Sequence, residues 1–219
     1  MIAEKSDEAI VDSFDTNSNN GSNSVIWLTM RTSRIYLRPF NEELDSRWYY
    51  KLATSEDNLY RWRFRGNPPT WEVFTRTMFA GLFTQFVVES VHPKEGIDPG
   101  IGLVTAYNAD FPNGTAYFGV ITNRRLTGLG FEATALFLTY LFLNWPFRKL
   151  YFEMPAYNQE FIMSGVDRYF KEEGRLKSHE FLLGRYWDHV TYAIYRDEYL
   201  NNERVRTLTL GNGLENELV

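Results

Sequence analysis

Short apolar segments alternate with longer apolar stretches along the chain, and turn residues separate them. A short segment that alternates apolar and polar positions, or that is continuously apolar between turn residues, predicts a strand. On this basis the predicted strands are Arg34–Arg38, Phe86–Val91, Ile101–Tyr107, Ala116–Ile121 and Arg148–Met154, followed by a hairpin of Leu176–Leu183 and Tyr186–Tyr195 across Gly184 and Arg185.

The longer stretches predict helices between these strands. A first helix starts at Asn41, and a second covers Trp71–Phe83 with Thr70 as its N-cap. Gly128–Leu143 is apolar on nearly every side and predicts a buried helix, and Gln159–Glu173 predicts another. The fold class that follows is mixed α+β, with a mostly antiparallel sheet of about seven strands and helices on both faces.

The two ends of the chain differ from its body in composition. Residues 1–24 are acidic and then rich in Ser, Asn and Gly, which predicts a disordered leader. Residues 25–200 then form one domain, and residues 201–219 form a polar C-terminal tail.

Composition excludes several function classes. The net charge of −5 argues against a nucleic-acid partner, which favours a basic face. The chain has no cysteine, so disulfides, thiolate metal sites and cysteine nucleophiles are absent, and its three scattered histidines suggest no metal site. No stretch is long and apolar enough to span a membrane, and no signal peptide is recognisable, so we expect a cytoplasmic protein without a membrane partner.

The turn between the strand Ala116–Ile121 and the buried helix carries the clearest chemical signal. It reads Arg125-Leu-Thr-Gly-Leu-Gly130, with two glycines at the helix start. The first N–H groups of a helix have no partner within it, and glycine lets a phosphate approach them closely. The turn lacks both the Lys-Ser/Thr ending of a P-loop and the third glycine of the dinucleotide fingerprint. It therefore suits the diphosphate of another nucleotide-like cofactor.

Taken with its neighbours, this turn resembles the coenzyme A loop of the GNAT superfamily of acyl-CoA-dependent N-acyltransferases. The resemblance covers roughly residues 33–199 and is closer to the branch of ribosomal-protein alanine and serine N-acetyltransferases. It rests on the order and spacing of several segments: Ile35–Phe40, Gly102–Tyr107, Tyr117–Ile121, Arg125–Ala133, Asn158, Glu173-Gly174 and Gly184–Val190.

The resemblance implies a GNAT fold that binds acetyl-CoA and uses no metal. Val120 and Ile121 would pair with the pantetheine arm as an added strand, and Asn158 would lie near that arm. The pyrophosphate would be held by the loop and the first turn of the helix. The implied loop residues are Arg125, Leu126, Thr127, Gly128, Leu129, Gly130 and Phe131.

The segment after Asn158 departs from the family pattern. Phe161 replaces the usual serine, Gly165 the frequent tyrosine and Tyr169 the usual glycine. In many relatives that tyrosine protonates the leaving thiolate. Ser164 and Tyr169 are the remaining candidates for an acid, and water is the alternative.

An amine acceptor must lose a proton, so a base is needed. Glu153 lies in an apolar strand setting and is the candidate base, with a structural ion pair as the alternative. Asp188 and His189 are consecutive strand residues and should face opposite sides of the sheet. The expected acceptor pocket contains Trp62, Arg65, Glu89, Tyr107 and His189, although each of these also has a structural interpretation.

The sequence thus predicts an N-acyltransferase that moves an acetyl group to a primary amine by direct attack in a ternary complex. The acceptor is either a protein N-terminus or a small-molecule amine. Two alternatives stay open: an acyl-CoA-binding or scaffold protein with weak chemistry, and a transferase that uses another donor such as succinyl-CoA. The sequence is compatible with a homodimer.

Overall fold

The secondary structure follows the predicted alternation of strands and helices. A computed structural model of the chain describes residues 30–93, 100–123, 128–162, 165–166 and 168–210. The strands are β1 (Ile35–Pro39), β2 (Leu82–Ser90), β3 (Gly100–Asp110), β4 (Thr115–Thr122), β5 (Lys149–Pro155), β6 (Lys171–Leu182) and β7 (Arg185–Tyr195). The helices are α1 (Glu42–Ala53), α2 (Trp71–Thr77), α3 (Leu129–Asn144), α4 (Arg196–Leu200) and α5 (Glu203–Leu210), with a 3-10 helix at Ala156–Phe161.

All seven strands belong to one sheet in the order β1-β2-β3-β4-β5-β7-β6. Neighbouring strands are antiparallel except β4 and β5, which run parallel and are connected by α3. A parallel pair needs such a crossover because its strands cannot be joined by a tight turn. The predicted mixed α+β class with a mostly antiparallel sheet is confirmed.

Local capping chemistry sets the starts of the first two helices. The side chain of Asn41 accepts a hydrogen bond from the Leu44 amide at 3.1 Å, and Thr70 Oγ1 accepts one from the Val73 amide at 3.4 Å. Each cap satisfies an amide that has no partner inside its helix. Both helices therefore begin where the sequence predicts.

The two faces of the sheet carry different cores. On the α3 face, residues such as Val104, Phe118 and Leu150 pack against α3, whose Leu136 and Phe137 are fully buried. On the other face, which we call the α1 face, Val87, Leu103 and Ile121 pack against aromatic residues of α1 and α2. Side chains alternate between the faces of a strand, so β4 contributes to both cores.

Three segments differ from the prediction. The helix expected at Trp71–Phe83 ends at Thr77, because a turn through Gly81 (φ +72°) leads into β2 at Leu82. The helix expected at Gln159–Glu173 is replaced by the 3-10 helix and by β6, which begins at Lys171 and pairs with β7.

The third difference concerns the polar C-terminal tail expected at residues 201–219. Its first half contains α5, in which Val205 and Thr209 are buried and pack toward α3. Thr139 of α3 donates a hydrogen bond from its hydroxyl to Thr209 Oγ1 at 3.2 Å. Two buried positions four residues apart are enough to fix a short helix against the core. The expected leader, residues 1–24, lies outside the described residues.

Candidate active site

The sheet opens between β4 and β5. The parallel register joins only Thr115 to Lys149, Ala116 to Leu150 and Tyr117 to Tyr151. Beyond these pairs, the rest of β4, residues 118–122, has no register partner on β5 within the described part of the chain. Backbone N–H and C=O groups point alternately to the two edges of a strand, so part of this stretch faces the gap. The gap contains Val120 and Ile121, which the sequence analysis assigned to donor binding.

The N-terminus of α3 lies at the open end of this gap. Gly128 occupies the N-cap position with φ +89°, and no side chain among the described residues caps the helix. The amides of Leu129 and Gly130 are thus at the uncapped, mildly positive end of a helix dipole. Arg125, Leu126 and Thr127, the other predicted loop residues, lie outside the described residues.

Phe131, in the same helical turn, faces outward and is 37% exposed. Its ring centroid lies 5.1 Å from that of Tyr169, and the Arg204 guanidinium lies 5.1 Å from its ring. Tyr169 therefore packs beside the helix start and the segment near α5. It also packs against the α3-side core and does not face the α1 face. Ser164 lies outside the described residues.

A row of tyrosines crosses the α1 face where the gap closes. Tyr107 of β3, Tyr117 of β4 and Tyr151 of β5 have successive ring centroids 5.7 and 5.4 Å apart. Burial raises the pKa of Tyr107 to about 12, with the negative charge of Glu153 as the next cause. Glu153 follows Tyr151 on the same face, and its side chain is 39% exposed. A partly exposed carboxylate therefore lies next to an aromatic surface at the closed end of the gap, which we call the apex.

His189 of β7 lies between two carboxylates on this face. Its Nδ1 is 2.5 Å from Glu180 Oε1, and its Nε2 is 3.5 Å from Glu153 Oε2. Arg65 Nε approaches the other Glu180 oxygen at 3.2 Å. Asp188 instead accepts hydrogen bonds from the Ser178 amide and from basic side chains of β6. As expected, Asp188 and His189 do not form a pair.

A turn-rich strap, residues 59–66, crosses the gap on the α1 face. Trp62 lies over Gly119 of β4, so that a Cβ atom on Gly119 would be only 3.0 Å from the indole ring. On the β5 side, Arg61 Nη1 donates to Asn158 Oδ1 at 3.2 Å, and Asn158 Nδ2 donates to the Arg61 carbonyl at 3.1 Å. The predicted pantetheine ligand Asn158 thus fixes the strap in this structure.

The strap is not extended, so strand alternation does not decide where the rings of Trp62 and Phe64 point. Consecutive turns bring both rings into the core of the α1 face instead. The structure therefore places Trp62, Arg65, Tyr107 and His189 around the apex of the gap, together with Glu153.

Glu89 is the member of the expected acceptor pocket that the structure places elsewhere. It pairs with Gly100, whereas Tyr107 pairs with Leu82, so the two lie about 23 Å apart along the strands at about 3.3 Å per residue. Glu89 accepts hydrogen bonds from Tyr36 and, at 2.7 Å, from Arg38 Nε. Glu89 therefore joins β1 to β2. This is the structural role that the sequence offered as the alternative to a place in the acceptor pocket.

Three residues of this site carry no role in the sequence analysis: Tyr117, Tyr151 and Glu180. Strand alternation predicts the positions of Tyr117 and Tyr151, because each lies two positions along its strand from another residue on the same face. Glu180 could not be found in this way. A register shift in β6 between Leu176 and Glu180 breaks the alternation that would have placed it beside His189.

The described residues contain no cluster of three or more His, Asp or Glu side chains able to hold a metal ion. Within the same residues, every helix is too short or too polar to cross a bilayer.

A mixed sheet that splits beside an uncapped, glycine-led helix is the architecture of the GNAT superfamily, and the chain is a GNAT-superfamily protein. Spermidine N-acetyltransferase from Vibrio cholerae, in complex with coenzyme A and spermine, is similar at 25% identity and a TM-score of 0.64, over 77% of this chain and 99% of that one. A ribosomal L7/L12 alpha-N-protein acetyltransferase in complex with coenzyme A aligns with a TM-score of 0.61 at 16% identity, over 76% and 97% of the two chains. No protein-family model and no curated protein matches the chain.

Proposed function

We propose that the protein is an N-acetyltransferase that moves an acetyl group from acetyl-CoA to a primary amine. The observation that carries this proposal is the unpaired edge of β4 beside the uncapped start of α3. An extended amide-bearing arm can hydrogen-bond to such an edge, and a diphosphate can bind to such a helix start. The two similar structures described above were determined with coenzyme A bound.

The donor would lie in the gap with its pantetheine arm along Val120 and Ile121. Its pyrophosphate would bind to the loop and helix start at residues 125–131. Asn158 holds the strap through both polar atoms of its amide, which bond to the side chain and the carbonyl of Arg61. We therefore assign to Asn158 a role in closing the strap over the donor.

The reaction would take place at the apex of the gap. Glu153 removes a proton from the ammonium form of the acceptor, and the free amine attacks the thioester carbonyl. A backbone amide near Val120 stabilises the oxyanion of the tetrahedral intermediate. The carbon–sulfur bond then breaks and the attacking nitrogen gives up its second proton to water, so that the amide and the coenzyme A thiolate form and the thiolate takes a proton from solvent. Holding both substrates in one complex supplies much of the rate.

The acceptor is an amine that enters from the α1 face. Tyr107, Tyr117 and Tyr151 offer aromatic faces, and Glu153 offers a negative charge, which together suit a cationic amine. One similar protein is named as acting on spermidine and the other on a ribosomal protein. Both a small polyamine and a protein N-terminus are therefore included as acceptors in the test.

A thiol-release assay tests the proposal. Purified protein is given acetyl-CoA or succinyl-CoA, together with spermidine, short alkylamines or peptides with N-terminal alanine or serine. We expect acceptor-dependent release of coenzyme A with acetyl-CoA. Glu153→Gln should lower kcat about 100-fold, in the usual range for a lost general base. The control Glu172→Gln, which removes a carboxylate paired with Arg175 on the other face of the sheet, should stay within about twofold, in the usual range for a surface change.

A scaffold protein that binds acyl-CoA is the second candidate, and one observation favours it. Gly165, aligned with the frequent tyrosine of the family, carries no hydroxyl, and Phe170 fills the space where its side chain would begin. Calorimetry separates the two functions. Tight coenzyme A binding without acceptor-dependent thiol release would support the scaffold and refute the enzyme.

A further inference from the structure

The side chain of His189 is only 14% exposed and has a carboxylate near each ring nitrogen, an arrangement that hairpin packing alone does not require. The short contact to Glu180 is best satisfied when Nδ1 carries the proton and donates it to the carboxylate. In that tautomer the lone pair of Nε2 is free and faces Glu153 Oε2 at 3.5 Å. A carboxylate that orients an imidazole in this way is the standard means of preparing it to accept a proton.

Glu153 alone would be a weak base for this chemistry. Free carboxylates have a pKa near 4 and free amines near 10, so transfer from ammonium to carboxylate is uphill by roughly six units. A free imidazole, with a pKa near 6.5, is a better acceptor by about two units. The separation of Glu153 and His189 is slightly longer than a hydrogen bond, and a small approach or one bridging water closes it.

We propose that His189 is a proton relay that acts through Glu153, with Glu180 and Arg65 holding its ring in position. The proposal rests on the acetyltransferase function proposed above. The acceptor ammonium gives its proton to Glu153, and the Glu153 O–H bond then breaks as a new N–H bond forms at His189 Nε2. The imidazolium, paired at Nδ1 with Glu180, then releases the Nε2 proton to water, which restores the starting tautomer. Proton number and charge balance at each step, and His189 ends neutral.

The charged and titratable groups around His189 come from four elements: β6, β5, the strap and the 3-10 helix, which contains Tyr157. Glu180 and His179 lie on β6, with the two histidine ring centroids 5.6 Å apart, and Glu153 lies on β5. Arg65 of the strap reaches the cluster through Glu180, and Tyr157 is close enough to Glu180 for that charge to raise the pKa of the phenol. In Tyr157 burial is the larger cause of the raised pKa. The pH dependence of the relay therefore reflects all of these charged and titratable groups together.

The experiment compares His189→Gln and Glu180→Gln with Asp188→Asn. The last removes a charge on the opposite face of the same strand, outside the relay. With acetyl-CoA and the best acceptor from the thiol-release panel, His189→Gln should lower kcat about 10- to 100-fold. The KM for acetyl-CoA should change less than about twofold, because the donor site is untouched. Asp188→Asn should leave kcat within about twofold, in the range of a surface change.

The pH profile separates a relay from a packing role. The relay needs a neutral imidazole, so the activity of the unmodified protein should rise with pH. Glu180→Gln keeps an oxygen for the Nδ1 proton but removes a charge that favours imidazolium, so this rise should move to lower pH. In His189→Gln the rise should be lost.

Each result decides one question. Equal losses of kcat in His189→Gln and Asp188→Asn, or an unshifted profile in Glu180→Gln, overturn the relay and leave the proposed function standing. An unmodified protein that releases no thiol with any acceptor overturns the proposed function and the relay with it. If His189→Gln does not fold, as judged by its thermal transition, the profile of Glu180→Gln decides alone.

Discussion

Gly165 occupies the position where the family resemblance expects a tyrosine, and its surroundings allow no side chain. A Cβ atom built on Gly165 lies 2.5 Å from Cε1 and 2.8 Å from Cζ of Phe170. Comfortable carbon contacts are about 3.5–4.0 Å, so the overlap is about 1 Å. The ring of Phe170 cannot easily move away, because it packs edge-on against Phe152 at 4.9 Å and Tyr192 at 5.4 Å between ring centroids.

Gly165→Ala should therefore destabilise the fold. Overpacking of this kind costs about 1–3 kcal/mol, and the reduced freedom of the unfolded chain offsets about 0.4–1 kcal/mol of it. We expect a net loss of about 1–2 kcal/mol in the free energy of unfolding. For a chain of this size that corresponds to a fall in Tm of about 2–8 °C.

Urea unfolding followed by tryptophan fluorescence measures the change. The matched control is Gly174→Ala, in which the nearest atom, Thr191 Cβ, is at an ordinary 3.8 Å, and it should change stability by less than about 0.5 kcal/mol. Trimming the ring in Phe170→Leu should relieve the overlap. The double variant should therefore be more stable than the sum of the two single changes predicts, by about 1 kcal/mol. If Gly165→Ala matches the control, or if the two changes are additive, the clash is not real.

Three further predictions test other parts of the structure. Glu153→Gln should lower the pKa of Tyr107 from about 12, because it removes the charge that adds to burial, and ultraviolet titration of the phenol checks this. Burial alone would raise the pKa of Asp45, but hydrogen bonds from Arg38 and from a backbone amide outweigh it and lower the pKa. Its contribution to stability should therefore be present above about pH 4 and be lost as the pH falls further, and in Asp45→Asn this part of the pH dependence of urea unfolding should disappear. Gly102→Ala places a Cβ atom 2.5 Å from a backbone carbonyl of β4, so it should cost about 2 kcal/mol or more, and a Tm equal to that of the unmodified protein would contradict it.

The parts of the fold that the sequence predicted are those in which local chemistry and packing agree. Asn41 and Thr70 cap their helices as expected, and α3 is buried because almost all of its positions are apolar. The helix expected at Gln159–Glu173 was wrong at its end, Lys171–Glu173, because the charged residues there favour a helix in isolation. Pairing with β7 overrides that preference, and the cross-strand ion pair between Arg175 and Asp188, at 3.2 Å, supports the strand.

Residues of the candidate site could be predicted where their placement depends on one strand, but not where it depends on contacts between distant segments. The placement of Glu153 and of Tyr107 follows from the position of each residue on its own strand. The contact of Glu180 with His189 depends on a shifted register, and that of Arg65 with Glu180 depends on a turn whose residue has a positive φ of 49°. Neither a bulge nor a left-handed arginine leaves a readable pattern of apolar and polar positions.

The short seam between β4 and β5 has a mechanical consequence. Three residue pairs, the overlying helix α3 and the side-chain contacts of the strap join two half-sheets that are each continuously hydrogen-bonded. Such a joint is soft in one direction, since the halves can spread or close about the seam without breaking a ladder inside either half. Widening or narrowing the gap is thus a deformation of the sheet that costs little free energy. Any molecule that hydrogen-bonds to both edges of the gap stiffens the entire sheet, and a substitution at the Thr115–Lys149 end of the seam alters how the two halves are aligned.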